Sequence, residues 1–145
     1  MVTSSLNRTS AQIFALVFGV VYVAIGLIGF GVTGFDGWVS SATAEKFLIF
    51  PVNPLHNFVH IGVGLLWMVA ANKHESARRV NVLIGIVYAV TAAAGFAGIL
   101  DFLAIPSAES ADNWLHLLTS MLSLYFGTKG ATLIMARGRT TYGPG

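Results

Sequence analysis

The chain has no cysteine. That single absence removes disulfides, thiolate metal sites and a cysteine nucleophile. Charge is almost as scarce: eight basic and six acidic residues make up 10% of 145 positions. Soluble domains carry about a quarter, so an ordinary soluble domain is excluded. No acid lies deep in an apolar run, so a di-iron carboxylate site is unavailable. Also missing are dense histidine boxes, a phosphate-cradling glycine motif, a Ser/His/Asp constellation and a broken-helix pair with ionisable groups. A small transporter or membrane enzyme therefore ranks last among the functions considered.

What the chain has is apolar length. Hydrophobic residues make up 55%, mean hydropathy is +0.75, and the charges fall between apolar runs rather than within them. This pattern predicts an all-α integral membrane protein with four transmembrane helices, at about 10–35, 54–71, 80–100 and 113–136. Ala42-Thr43-Ala44 resembles a signal-cleavage site. The run upstream of it, however, exceeds the ~7–15 residues of a signal core and ends too early, so no cleavage is expected. The patch Phe47-Leu48-Ile49-Phe50 should lie at the membrane interface or over helix ends.

Basic residues set the orientation. Arg8, Lys73, Arg78, Arg79, Lys129, Arg137 and Arg139 share one side, with Lys46 opposing. Five of the six acids (Asp36, Glu45, Asp101, Glu109 and Asp112) lie opposite. The positive-inside rule puts residues 1–9 and the tail 137–145 in the cytoplasm, around one 10–136 domain. A bacterial cytoplasmic or internal membrane is expected. The pI near 9.2 reflects this border placement, and nucleic acid is not an expected partner.

The sequence repeats. Gly19-Val20-Val21-Tyr22 matches Gly85-Ile86-Val87-Tyr88, and Gly29-Phe30 matches Gly95-Phe96, both at an offset of 66. Gly26 aligns with Ala92. Asn53 and His56 match Asn113 and His116 at an offset of 60. Two duplicated helical hairpins follow, related by a pseudo-twofold along the membrane normal. Gly19, Tyr22, Gly26 and Gly29, and likewise Gly85, Tyr88, Ala92 and Gly95, form helical-face stripes suited to close packing in lipid. Each tyrosine hydroxyl should find a partner. Asn81 is expected to bond between helices. Trp38 and Trp114 suit an outer aromatic belt, while Trp67 suits packing or a lipid or partner contact.

Asn53 with Pro54, and Asp112 with Asn113, read as helix starts. Just beyond them stand His56, His60 and His116, with His60 one turn after His56. Imidazole ligates haem, chlorophyll-type pigments, zinc or copper, and His56 and His116 could grip one tetrapyrrole iron from both sides, with His60 as a substitute. The plainer reading, preferred here, is that these histidines satisfy helix starts, and no metal site is firmly expected. His74, on a basic turn, should be solvated.

Residues 53–60 (Asn-Pro-Leu-His-Asn-Phe-Val-His), 85–88 (Gly-Ile-Val-Tyr) and 112–116 (Asp-Asn-Trp-Leu-His) resemble an uncharacterised bacterial four-pass membrane family, described as a domain of unknown function. The likeness covers roughly Ser10 to Gly130. It implies a four-helix membrane protein and brings no activity, cofactor or catalytic residue. The functional expectation is a non-catalytic accessory or structural subunit, set in the lipid bilayer within a larger membrane complex or a homo-oligomer. A tetrapyrrole-binding or electron-transfer protein is the alternative.

Overall fold

The computed structural model describes residues 8–39 and 44–132. The expected tail from Arg137 to Gly145, most of the N-terminal segment 1–9 and the last residues before Ala136 lie outside them. The described residues form four α-helices: α1 (Ser10–Thr33), α2 (Pro54–Ala70), α3 (His74–Phe96) and α4 (Ala111–Gly127). α1 and α3 are long and apolar enough to cross a membrane, and α2 is a shorter apolar helix.

α1 opens on a capping box. The Thr9 side chain accepts from the Gln12 backbone, and the Gln12 side chain answers the Thr9 N–H. It ends at Gly34, whose φ of 63° is a conformation that glycine tolerates best. α3 starts at His74, six residues ahead of the expected Val80. Its charged first turns stay helical, with Glu75 bonding Arg79 at 2.9 Å and meeting Arg78 at 3.5 Å. α4 starts at Ala111 rather than Asn113 and ends at Gly127, so Lys129 lies in the turn beyond it. The loop before α2 holds an element not foreseen, a hairpin of β1 (Glu45–Phe47) and β2 (Phe50–Val52). Phe47 pairs with Phe50, and exposed Leu48 and Ile49 form its tip.

α1 packs chiefly on α2, and α3 on α4. The first pair meets where Gly19 faces Gly64: a Cβ built on Gly64 would sit 2.7 Å from the Gly19 carbonyl oxygen. The second pair meets where Gly85 faces Leu124, whose backbone nitrogen lies 3.0 Å from a Cβ built on Gly85. α1 and α3 run in the same direction. Their starts meet through Thr9 and His74 (2.8 Å) and through Ala11 and Asn81 (3.2 Å), and Tyr22 meets Tyr88 further along. His74 is therefore half-buried and partnered rather than simply solvated.

The inner core is aromatic. Phe14 stacks on Phe18 and Phe126, and Trp67 is fully buried against Phe14, Phe18 and Tyr22. The Trp67 indole donates to Asn81 Oδ1 at 3.0 Å, and Asn81 donates on to the Ala11 carbonyl. One amide thus ties α1, α2 and α3. α4 inverts the usual pattern of a helix in water: its buried residues are Asp112, Asn113, His116, Thr119, Ser120, Ser123 and Gly127. Its large apolar residues Trp114, Leu118 and Met121 are exposed.

Candidate metal centre

The site begins with a cap. Asn53 is extended, and its side-chain oxygen accepts the His56 backbone N–H at 2.9 Å, with Pro54 at the first helical position. This fixes the first turn of α2 and puts His56 and His60, four residues apart, on one face. The Asn53 amide also donates to the Phe102 carbonyl at 2.9 Å, which holds the 3-10 turn Asp101–Leu103 over the helix start.

The second histidine-bearing helix is anchored differently. Ser110 occupies the cap position of α4 without a side-chain cap bond. Asn113 lies inside the first turn and donates to the carbonyls of Ser107 and Ala108, at 3.0 and 3.1 Å. It secures the preceding loop instead of capping. Asp112 does not cap either. It is buried, and its Oδ2 has no hydrogen-bond partner.

The three histidines come together. The His56 and His60 ring centroids are 4.5 Å apart and those of His56 and His116 are 6.1 Å apart. One ring nitrogen or the other from each residue can be chosen so that all three lie within 4.8 Å of one another. Exposure is 2% for His56, 7% for His60 and 4% for His116. In each ring Nδ1 is buried without a hydrogen-bond partner. A buried polar atom left in that state costs about 1–3 kcal/mol, and here three fall within one cluster of rings. The rings do not cap their helices. At the start of α2 the cap bond uses the His56 backbone, and the rings turn inward.

Tyr22 stands 5.0 Å from His60 and Tyr88 5.1 Å from His116, between ring centroids. The two phenols meet edge to face at 5.8 Å, and the Tyr22 hydroxyl donates to Thr119 Oγ1 at 3.2 Å. A cavity of about 70 Å³ touches all three histidines and is roofed by Leu103.

Three imidazoles converging on one point are a donor set for zinc or copper. Metal–nitrogen bonds of about 2.0–2.1 Å put tetrahedral ligand atoms about 3.3 Å apart. The 4.8 Å spacing is about 1.5 Å wider, so the rings must draw inward for all three to bind one ion. Among the described residues these are the only three histidines, cysteines or acids grouped in this way. Sequence reasoning paired His56 with His116 by the repeat. It missed His60 as an equal third corner, and it missed Asp112 as a buried acid one turn ahead of His116.

The chain belongs to the family described as a domain of unknown function, DUF4383, whose model matches residues 12–129. No curated protein and no solved structure matches the chain.

Proposed function

We propose that this DUF4383 protein is a four-span membrane protein that binds one first-row transition-metal ion, zinc or copper, through His56, His60 and His116. The observation that carries the reading is the convergence of three buried imidazoles whose Nδ1 atoms lack partners.

The membrane part of the reading draws on the helices' outer faces. Val17, Leu27, Val69, Val90 and Met121 are each at least half exposed, while α4 turns its hydroxyls, amide and imidazole inward. Lipid, unlike water, makes that arrangement favourable. α2 and α4, of 17 residues each, reach about 25 Å, the short end of a spanning helix. The hairpin copy is supported by the shared direction of α1 and α3 and by the seam at Gly19–Gly64 recurring at Gly85–Leu124, the pairings expected from offsets of 66 and 60. In this reading the pseudo-twofold runs along the membrane normal, the histidines lie toward the outer side and the basic segment Asn72–Arg79, including the start of α3, faces the cytoplasm.

An ion suits the site better than a tetrapyrrole. Pockets for organic ligands run to about 300–1,000 Å³, well above this cavity. The His60 ring, 4.5 Å from that of His56, also crowds the space between His56 and His116 that a macrocycle would need. The accessory-subunit reading draws on the exposed apolar faces alone, and bilayer lipid covers those equally well. Three neutral imidazoles leave a dication's charge uncompensated in a buried setting. Asp112, buried and one helical turn from His116, is placed to offset it.

The test is metal content after loading. Protein purified in mild detergent and equilibrated with Zn²⁺ or Cu⁺ should retain one equivalent after desalting. His56→Ala, His60→Ala and His116→Ala should each fall well below that while keeping the helical circular-dichroism spectrum. Retention of metal by all three variants, or none by the parent protein, would refute the assignment.

A further inference from the structure

We infer that the three-histidine centre keeps one coordination position open, and that a small uncharged ligand reaches it sideways, from the bilayer interior, through a cleft between α2 and α3. This rests on the metal-binding and membrane readings above and adds the ligand class and its route.

Three protein ligands are one short of a tetrahedral set, and zinc sites with three ligands hold an exchangeable molecule in the fourth position. The cavity beside the histidines supplies room for it. At about 30 Å³ per water, its 70 Å³ holds roughly two water-sized molecules, so a diatomic fits and a lipid headgroup does not.

Its walls show where it opens. The histidines line one side of the space, and the Tyr22–Thr119 hydrogen bond joins α1 to α4 beside them. Above, the Asp101–Leu103 turn is held down by Asn53 and contributes Leu103 as a lid. Below lie Tyr88 and the buried Trp67. The remaining wall is formed by Val59 and Val63 of α2 and Val87 and Thr91 of α3. Val59 is 38% and Val87 50% exposed, so this wall is also part of the outer surface. α2 and α3 share far fewer contacts than either makes within its own hairpin.

The cleft is chemically apolar. The Thr91 hydroxyl, its one side-chain polar group, is spent on the Val87 carbonyl at 2.9 Å. Val87 lies nine residues before the end of α3, about 14 Å along the axis. That depth falls inside a hydrocarbon core about 30 Å thick. A passage of this kind admits neutral molecules dissolved in lipid and discriminates against hydrated ions.

Carbon monoxide on the Cu⁺-loaded protein in lipid nanodiscs is the probe, being diatomic, uncharged and lipid-soluble. The loaded protein should bind one carbon monoxide per copper, seen as an infrared C–O stretch. Rebinding after flash photolysis should slow at least tenfold in Val87→Trp, while the equally lipid-facing Val90→Trp should leave it unchanged. One copper bound with no carbon monoxide band would show a closed site, overturning this inference while leaving the metal assignment intact. Failure to bind copper or zinc would overturn both. Rebinding insensitive to Val87→Trp but slowed by Leu103→Trp would place the route at the aqueous face and refute the lateral one.

Discussion

At the scale of single residues, the account turns on which buried polar atoms have partners. Tyr22, Trp67 and Asn81 are buried and each is hydrogen-bonded to a neighbouring helix. Their polarity is spent on architecture. His56, His60 and His116 are equally buried, yet each leaves Nδ1 unpaired, and one ring nitrogen of each lies within 4.8 Å of the others. The grouping of the three marks a site, rather than the missing partner alone, since Asn113 Oδ1 and Ser123 Oγ are also buried without one. Asp112 belongs with the site, because its Oδ2 is also unpaired and it stands one turn ahead of His116. Asp112→Asn removes the carboxyl group at nearly constant volume. It should weaken Zn²⁺ binding about tenfold, the low end for groups outside the ligand shell, in competition titrations against a chromophoric chelator. The helical spectrum should not change.

At the scale of elements, the helix pairs are set by glycine contacts that leave no room for a side chain. Gly64→Leu would drive a branched chain into the backbone of α1 at Gly19 and Val23. Overpacking of this kind costs about 1–3 kcal/mol or more. Thermal unfolding in detergent should show a clear fall in midpoint for Gly64→Leu and little change for Gly62→Leu, where a Cβ meets nothing within 4 Å.

Much of this element scale was legible in the sequence. Asn53-Pro54 announced the start of α2, and the Gly19/Gly85 repeat announced the two seams. The start of α4 was not legible, because Asn113 copies Asn53 in sequence but serves the preceding loop instead of the cap. α4 therefore begins three residues earlier than a strict copy of α2 at an offset of 60 would. The β1–β2 hairpin was also invisible, since strands of three residues carry no readable alternation. His60 as a third ligand was hidden for a related reason. Its aligned position holds Ser120, which donates to the Gly85 carbonyl at 2.7 Å. The two aligned positions hold different residues, and only the packing of the two helix pairs brings His60 and His56, both on α2, to His116 on α4.

At the scale of the whole molecule, the proposal is a four-pass bundle with its metal centre toward the outer side. The lack of cysteine makes the topology directly testable. Single cysteines placed at Asn72 and at Ala108, both exposed, should label from opposite sides of sealed vesicles with a membrane-impermeant maleimide. Asn72→Cys should react only from the cytoplasmic side, and Ala108→Cys only from the outside. Labelling of both from one side would leave an even number of crossings between them, where the four-span arrangement requires one, α3, and that arrangement would fail.

The central claim is the three-imidazole centre, and X-ray absorption on the Zn²⁺-loaded protein measures it most directly. The account predicts a first shell of light donor atoms at about 2.0–2.1 Å, with outer-shell scattering from three imidazole rings. That scattering should drop to two rings in His60→Ala. A zinc shell containing at most one imidazole, or one left unchanged in His60→Ala, would contradict it.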